Sequence, residues 1–199
     1  MRESDKNTRK RGDMLNESIY EATVEIIKEV GYANLTFQQI AQRAKTSRTV
    51  LYRRWNTTYD LIREIMVYKF NAALDGELID KIEDTGSLRG DLLYLLTIYQ
   101  RVYTYVGLEI MNALIFEMSQ NNEKLDEVKI NATEKNIITM RALLKLAKAR
   151  GEQIKDVSNQ TLSLPFDLIR MEYIMYNNVV DAERLKLLVD EILLPVFKA

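Results

Sequence analysis

Arg48, Thr49, Tyr52, Arg53 and Arg54 fall within seven residues of one another. Their types suit one kind of chemistry above others. A guanidinium donates bidentately to the edge of guanine, and hydroxyls hold phosphates. The rest of the chain offers little else. It has no Cys and no His, which closes the routes through thiol nucleophiles, disulfides, His-based triads and most zinc sites. It has no Gly-rich phosphate loop. A carboxylate pair remains formally possible, but Asp and Glu sit mostly at helix starts or outer faces. No enzyme activity, metal site or cofactor is expected.

The residues around this cluster read as the elements that position it. Thr36 followed by Gln39 is a capping box, in which hydroxyl and amide each satisfy a backbone group of the other residue. Phe37, Ile40, Ala41 and Ala44 then recur at helical spacing. Lys45–Thr46 is a turn, and Ser47 is an N-cap for the next helix. Val50 and Leu51 form its buried side, with Trp55 as an anchor, so Arg48, Thr49, Tyr52, Arg53 and Arg54 face outward. Thr57 with Asp60 starts a longer helix through Leu61, Ile62, Ile65 and Met66. Two short helices around a tight turn are the way a helix-turn-helix presents one helix to the major groove.

The stretch IAQRAKTSRTVLYRRW resembles the DNA-binding motif of the TetR family of one-component transcriptional regulators. Leu15, Ile19, Ala22, Ile26 and Gly31–Tyr32 are similar to that family's first helix and the turn after it. The Tyr52–Arg53–Arg54–Trp55 ending resembles the subgroup in which Trp replaces the more usual Phe. The specific resemblance covers roughly residues 10–65. Three positions depart from the pattern. Lys45 stands where the family often has Gly, and can adopt the left-handed conformation at a cost of roughly 1 kcal/mol. Thr49 stands where a smaller Gly or Ala is frequent. Thr58 stands where a phosphate-binding Lys is frequent, so helix N-terminal amides and hydroxyls around Thr57–Thr58 must serve instead.

Composition agrees. The chain has 199 residues, with two Pro and seven Gly, and is rich in helix formers, which argues for an all-α protein. The net charge of −1 hides an asymmetry. Residues 1–55 carry 11 Lys and Arg against 7 Asp and Glu, while 56–199 carry 17 against 22. A basic amino-terminal module on an acidic body suits a DNA reader with a regulatory domain. The alternative is a solvated surface. No apolar run reaches the roughly 18 residues of a membrane span, and the polar amino terminus lacks a signal core. A cytoplasmic protein with no membrane partner is expected.

Three regions follow. Residues 1–13 read as a flexible basic arm, in which Arg9, Lys10 and Arg11 either lie along phosphates or merely solubilise. Residues 14–57 form the helix-turn-helix domain, with helices near Leu15–Val30, Phe37–Arg43 and Arg48–Trp55. Residues 58–199 form a helical regulatory domain for ligand binding and dimerisation, which a helix near 58–79 connects to the module. Asp84–Ser87 is a capping turn. Further helices are expected near Leu88–Tyr105, Leu108–Ser119, Glu123–Arg150, Pro165–Asn177 and Ala182–Phe197, punctuated by Gly107, Asn121–Asn122 and Gly151. Nine helices in this order would resemble the whole TetR architecture.

The resemblance implies a homodimer that sets two copies of the third helix into a near-palindromic duplex operator and is released by a small-molecule effector. Arg48, Thr49, Arg53 and Arg54 are the candidates for reaching bases. Thr36, Ser47, Tyr52, Thr57 and Thr58 would hold phosphates, with packing as the alternative role for Tyr52. The dimer interface is expected at Phe166, Ile169, Tyr173, Leu185, Leu188, Val189 and Ile192, unless these faces cover the chain's own core. Tyr94, Tyr103, Met111, Phe116, Met140 and Met171 are candidates for a ligand cavity, with plain core as the alternative. Arg101, Glu109 and Glu117 either orient a ligand or are surface charges. A repressor is the expected outcome. The rival function is an all-α dimeric interaction protein whose helix-turn-helix docks on protein.

Overall fold

The computed structural model describes the backbone of residues 3–120, 124–176 and 180–199, and the side chains of 12–120, 130–176 and 180–199. Among these the protein is helical, apart from loops and an isolated antiparallel bridge between Ile154 and Lys198. The helices are α1 (Glu3–Val30), α2 (Phe37–Arg43), α3 (Arg48–Arg54), α4 (Thr58–Leu74), α5 (Leu88–Val106), α6 (Leu108–Ser119), α7 (Lys124–Ala149) and α8 (Asn159–Tyr176). A last helical run, α9, is α-helical over Ala182–Leu187, π-helical over Leu188–Leu193 and α-helical again over Leu194–Phe197. No helix among the described residues is long and apolar enough to cross a membrane.

Two compact units divide the chain. The first comprises Met1–Val67 and Glu109–Ser119, and the second Tyr68–Leu108 and Gln120–Ala199. This division differs from the expected boundary after residue 57. The start of α4 stays with the amino-terminal module, and α6 joins it from the middle of the chain. The sequence gives no sign of the latter, because α6 begins after a glycine stop like any other helix. Tyr32 ties it down: its hydroxyl donates to Glu117 at 2.5 Å, and its ring meets Phe116 edge-on at 5.6 Å. Burial, followed by the neighbouring Glu117 carboxylate, pushes the Tyr32 pKa well above the ordinary tyrosine value.

Within the first unit, Ile19, Ala22 and Ile26 of α1 are buried, as are Ile40, Ala41, Leu51, Leu61, Ile62 and Ile65. The expected apolar faces therefore meet in one core. α1 runs back to Glu3, where a flexible arm was expected. The side chains of Arg9, Lys10 and Arg11 lie outside the described residues, as do Asn121 and Asn122.

In the second unit α5 is the central element. Leu88, Leu92, Leu95, Leu96, Tyr99, Val102, Tyr103 and Val106 give it a buried stripe. α7 packs it with Met140, Leu143 and Ala147, and α8 with Leu162, Phe166 and Ile169. The sequence places the start of α8 at Pro165, where proline is tolerated for lack of an N–H. The helix instead begins at Asn159, with Pro165 inside it. Ser158 accepts from the Thr161 N–H at 3.3 Å and so supplies the earlier cap. α4 likewise ends at Leu74, short of the expected 79. Asp75 and Gly76 both take positive φ, and a short 3-10 turn follows over Leu78–Lys81.

One polar cluster anchors the ends of α5 and α7. Asp91, 1% exposed, accepts from the Thr85 amide at 2.9 Å and from Arg150 at 2.5 Å. The same guanidinium reaches Asp84 at 2.6 Å and Glu152 at 3.0 Å. Arg150's pKa is held above the usual arginine value, first by its bond to Asp91. Buried charge persists here because each carboxylate is paired and hydrogen-bonded.

Candidate nucleic-acid interface

The turn between α2 and α3 explains how a seven-residue helix is aimed. At the start of α2 the Gln39 N–H donates to Thr36 Oγ1 at 3.3 Å, and Gln39 Oε1 accepts from the Thr36 N–H at 2.8 Å. This is the expected capping box. At its end Lys45 takes φ 52°. The Thr46 amide bonds back to Ala41 O at 2.9 Å and the Lys45 amide to Gln42 O at 3.4 Å. That pattern is a Schellman closure, which needs a left-handed residue where Lys45 stands. Ser47 then accepts from the Val50 N–H at 3.3 Å to open α3.

α3 buries little of itself. Leu51 is inside and Val50 half-buried. Trp55, 2% exposed, closes the helix, and its Nε1 donates to Glu64 Oε2 at 2.9 Å. The other oxygen of Glu64 accepts from the Tyr20 hydroxyl at 2.6 Å. One carboxylate thus bridges α1, the end of α3 and α4. The sequence reading missed Glu64, which looks like any outer-face acid at helical spacing.

Arg48, Thr49, Tyr52, Arg53 and Arg54 are all exposed, but they divide into two groups. Arg54 turns back onto the first helix. Its guanidinium donates to Asn16 Oδ1 and lies 5.8 Å over the Trp55 ring. Arg48, Thr49 and Arg53 make no side-chain hydrogen bond or ion pair among the described residues. Tyr52 is 59% exposed, and its ring stands edge-on to Phe37 at 4.9 Å. It therefore packs through the ring, the alternative role expected of it, while much of the side chain stays exposed.

The hydroxyls flanking α3 are engaged in capping. Thr36 Oγ1 donates to Gln39 Oε1 at 2.7 Å, and Thr57 Oγ1 to Asp60 Oδ2 at 2.9 Å. The Asp60 N–H in turn donates to Thr57 Oγ1 at 3.1 Å. Thr58 is half-buried. These contacts hold the starts of α2 and α4 in place. Unpaired amides at such starts attract phosphate oxygens.

The cavity and interface expectations fare differently. Tyr94, Phe116 and Met171 are exposed, Met111 is half-buried, and Tyr103 and Met140 are buried. Met111 and Phe116 belong to the first unit. The other four belong to the second unit. Tyr103 joins a packed cluster. Its hydroxyl lies 3.1 Å from that of Tyr99 and accepts from Arg170 Nε at 3.2 Å, and the two rings pack on Tyr173 and Phe166. Glu109 and Glu117 face α1 and its following turn through Lys28 and Tyr32, while Arg101 is exposed.

Phe166, Ile169, Tyr173, Leu185, Leu188 and Val189 are buried within the single chain. They cover its own core, the alternative weighed for them, because helical spacing cannot say what an apolar face packs against. Ile192, at 37%, is the exposed member of the set. Met171, Met175, Tyr176 and Leu187 are the other large apolar residues exposed on α8 and α9.

Comparison with known proteins agrees with this geometry. Residues 19–65 match the family described as bacterial regulatory proteins, tetR family, and residues 82–192 match the tetracyclin repressor-like C-terminal domain. The chain is similar to a DNA-binding transcriptional repressor TetR of Mycobacteroides abscessus, with 23% identity over 188 residues, covering 94% of this chain and 96% of that protein. In fold it is similar to a TetR transcription regulator from Haloarcula marismortui, with TM-score 0.68 and 22% identity, covering 92% and 98% of the two chains. It is also similar to a transcriptional regulator from Saccharomonospora viridis in complex with choline, with TM-score 0.65 and 14% identity, covering 92% and 97%. With an exposed basic α3 on a capped helix-turn-helix and both family matches covering most of its length, the chain belongs to the TetR family of DNA-binding transcriptional regulators.

Proposed function

We propose that the protein is a homodimeric repressor that reads a near-palindromic operator through two copies of α3 and is released by a small-molecule effector. The observation that carries this reading is the division of the α3 arginines. Among the described residues Arg48 and Arg53 stand exposed without side-chain partners beside Thr49, while Arg54 is tied to Asn16. Arg48, Thr49 and Arg53 therefore reach bases, and Arg54 fixes the helix. Thr36, Ser47, Tyr52, Thr57 and Thr58 set the register on the phosphates. The Tyr52–Trp55 ending supports membership of the subgroup with Trp at that position.

Dimerisation uses the exposed apolar residues of α8 and α9, because two half-sites about one helical turn apart need a two-fold protein. An effector that binds better to the conformation unable to hold DNA shifts the population and frees the operator. Choline in the Saccharomonospora viridis protein supports a small organic effector as the class. The protein-docking alternative has no observation in its favour.

The test is binding of the purified protein to fragments upstream of its own gene across a salt series. Retention of one fragment at a salt concentration that strips the others establishes the specific reader. Absence of binding at low salt overturns the reading.

A further inference from the structure

A groove of about 350 Å³ opens in the second unit beside the carboxyl-terminal half of α7. Arg141, Leu144, Lys145 and Lys148 line one wall, at the i, i+3, i+4, i+7 spacing that puts them on a single helix face. The facing wall is the connector between α7 and α8, with Ile154, Lys155 and Val157. Leu162, in the first turns of α8, and Leu144 are buried and form the apolar floor.

The lining carries four cations against one carboxylate, Asp156. This stands out on a body that is acidic as a whole, with 17 basic against 22 acidic residues over 56–199. Most of these cations are not neutralised. Arg141 donates to the neutral amide oxygen of Asn159 at 2.6 Å, and Lys155 to the Pro195 carbonyl at 2.8 Å. Lys145 makes no ion pair or hydrogen bond among the described residues. Lys148 alone pairs with Asp156, at 2.8 Å.

The connector wall is also held in place. The Lys155 amide donates to Phe197 O at 2.9 Å, and the Ala199 amide to Gln153 O at 3.0 Å. The groove is thus preformed, with an apolar floor and a cationic rim, and a volume at the lower end of small-molecule sites.

We propose that this groove binds an amphipathic organic anion, a short apolar body carrying a carboxylate or a phosphate. The body lies on Leu144, Ile154, Val157 and Leu162. The head is taken by Lys145 and by Arg141, whose planar fork matches either oxyanion. The site is independent of the DNA-reading assignment, since all its residues lie in the second unit and operator binding is read separately.

The experiment titrates the full-length protein with octanoate, octyl phosphate and octanol by calorimetry, using the wild type and the double variant R141E/K145E. The expected result is that both anions bind the wild type and lose at least tenfold in affinity in the variant, while octanol binds weakly and equally to both. A preference for octyl phosphate assigns a phosphate monoester as the natural class, and a preference for octanoate a fatty carboxylate. Equal affinity of wild type and variant for the anions overturns the proposal, as does octanol binding as tightly as octanoate, or no anion binding at millimolar concentration. Should the variant fold poorly, lysine acetylation footprinting of the wild type decides. Octyl phosphate or octanoate must protect Lys145, and unchanged labelling rejects the site.

Discussion

Two neighbouring arginines, Arg53 and Arg54, have the same chemistry and different surroundings, so they should fail differently. Arg53→Ala removes a donor with no side-chain partner among the described residues. Loss of one good base contact costs about 1–3 kcal/mol, so operator affinity should fall by roughly 5- to 150-fold with an unchanged melting temperature. Arg54→Ala removes an exposed contact to Asn16 worth about 1 kcal/mol or less. It should lower stability slightly and change operator affinity by less than about threefold. Quantitative footprinting alongside thermal melts separates the two, and equal affinity losses would contradict the division. Asp91 poses a contrasting case at the same scale. Asp91→Ala leaves Arg150 with one fewer carboxylate and strands the Thr85 amide. Breaking a buried pair costs about 3–5 kcal/mol, so urea unfolding should show a loss of at least about 2 kcal/mol with little change in DNA affinity for the folded fraction.

The elements show which signals in the sequence were sufficient. α2, α3 and α6 fall where residue types placed them, because each is bounded by a local device: a capping box, a serine cap, a glycine stop. α8 begins earlier than Pro165 suggests, and nothing local shows that the Ser158 cap seven residues before it outranks the proline. The exposed basic face of α3 was legible for the same reason as α2 and α3. What Phe166 and Val189 pack against was not, since such residues sit at helical spacing whether they meet another chain or their own core. Glu64 and the Tyr32–Glu117 bond were invisible, because both join residues far apart in sequence. Lys45 gives the element-scale prediction. Its left-handed backbone carries a strain that glycine does not. Lys45→Gly should raise stability by about 0.5–1 kcal/mol, or roughly 1–4 °C in Tm for a chain of this size. A drop in Tm would mean that the lysine side chain contributes more than its backbone costs.

For the whole molecule, the reading rests on two copies acting together. Met175 and Leu187, 65% and 47% exposed, lie on helices whose inner faces are already occupied. Introducing charge there should disturb association without touching the core. M175E/L187E is expected to sediment as a folded monomer, with helical content preserved and operator affinity reduced by at least 100-fold through loss of the second half-site. A variant that remains dimeric would place the interface elsewhere on the surface.

The π-helical turn in α9 decides which residues can share that surface. In a regular α-helix, residues five apart are about 140° out of phase, so Leu187 and Ile192 would look in divergent directions. Through Leu188–Leu193 the pairing lengthens, with the Leu194 amide reaching Val189 O, and residues five apart come close to alignment. The turn acts as a phase shifter. It lets one helix keep Leu188, Val189 and Leu193 inside while returning Leu187 and Ile192 to a common outer line. Deleting a single residue within Leu188–Leu193 would rewind the segment to ordinary pitch, with residues four apart taking the places of residues five apart. Phe197 should then keep its place in the core, whereas adding a residue to the regular turn before Leu188 would rotate everything beyond it by about 100° and cost stability.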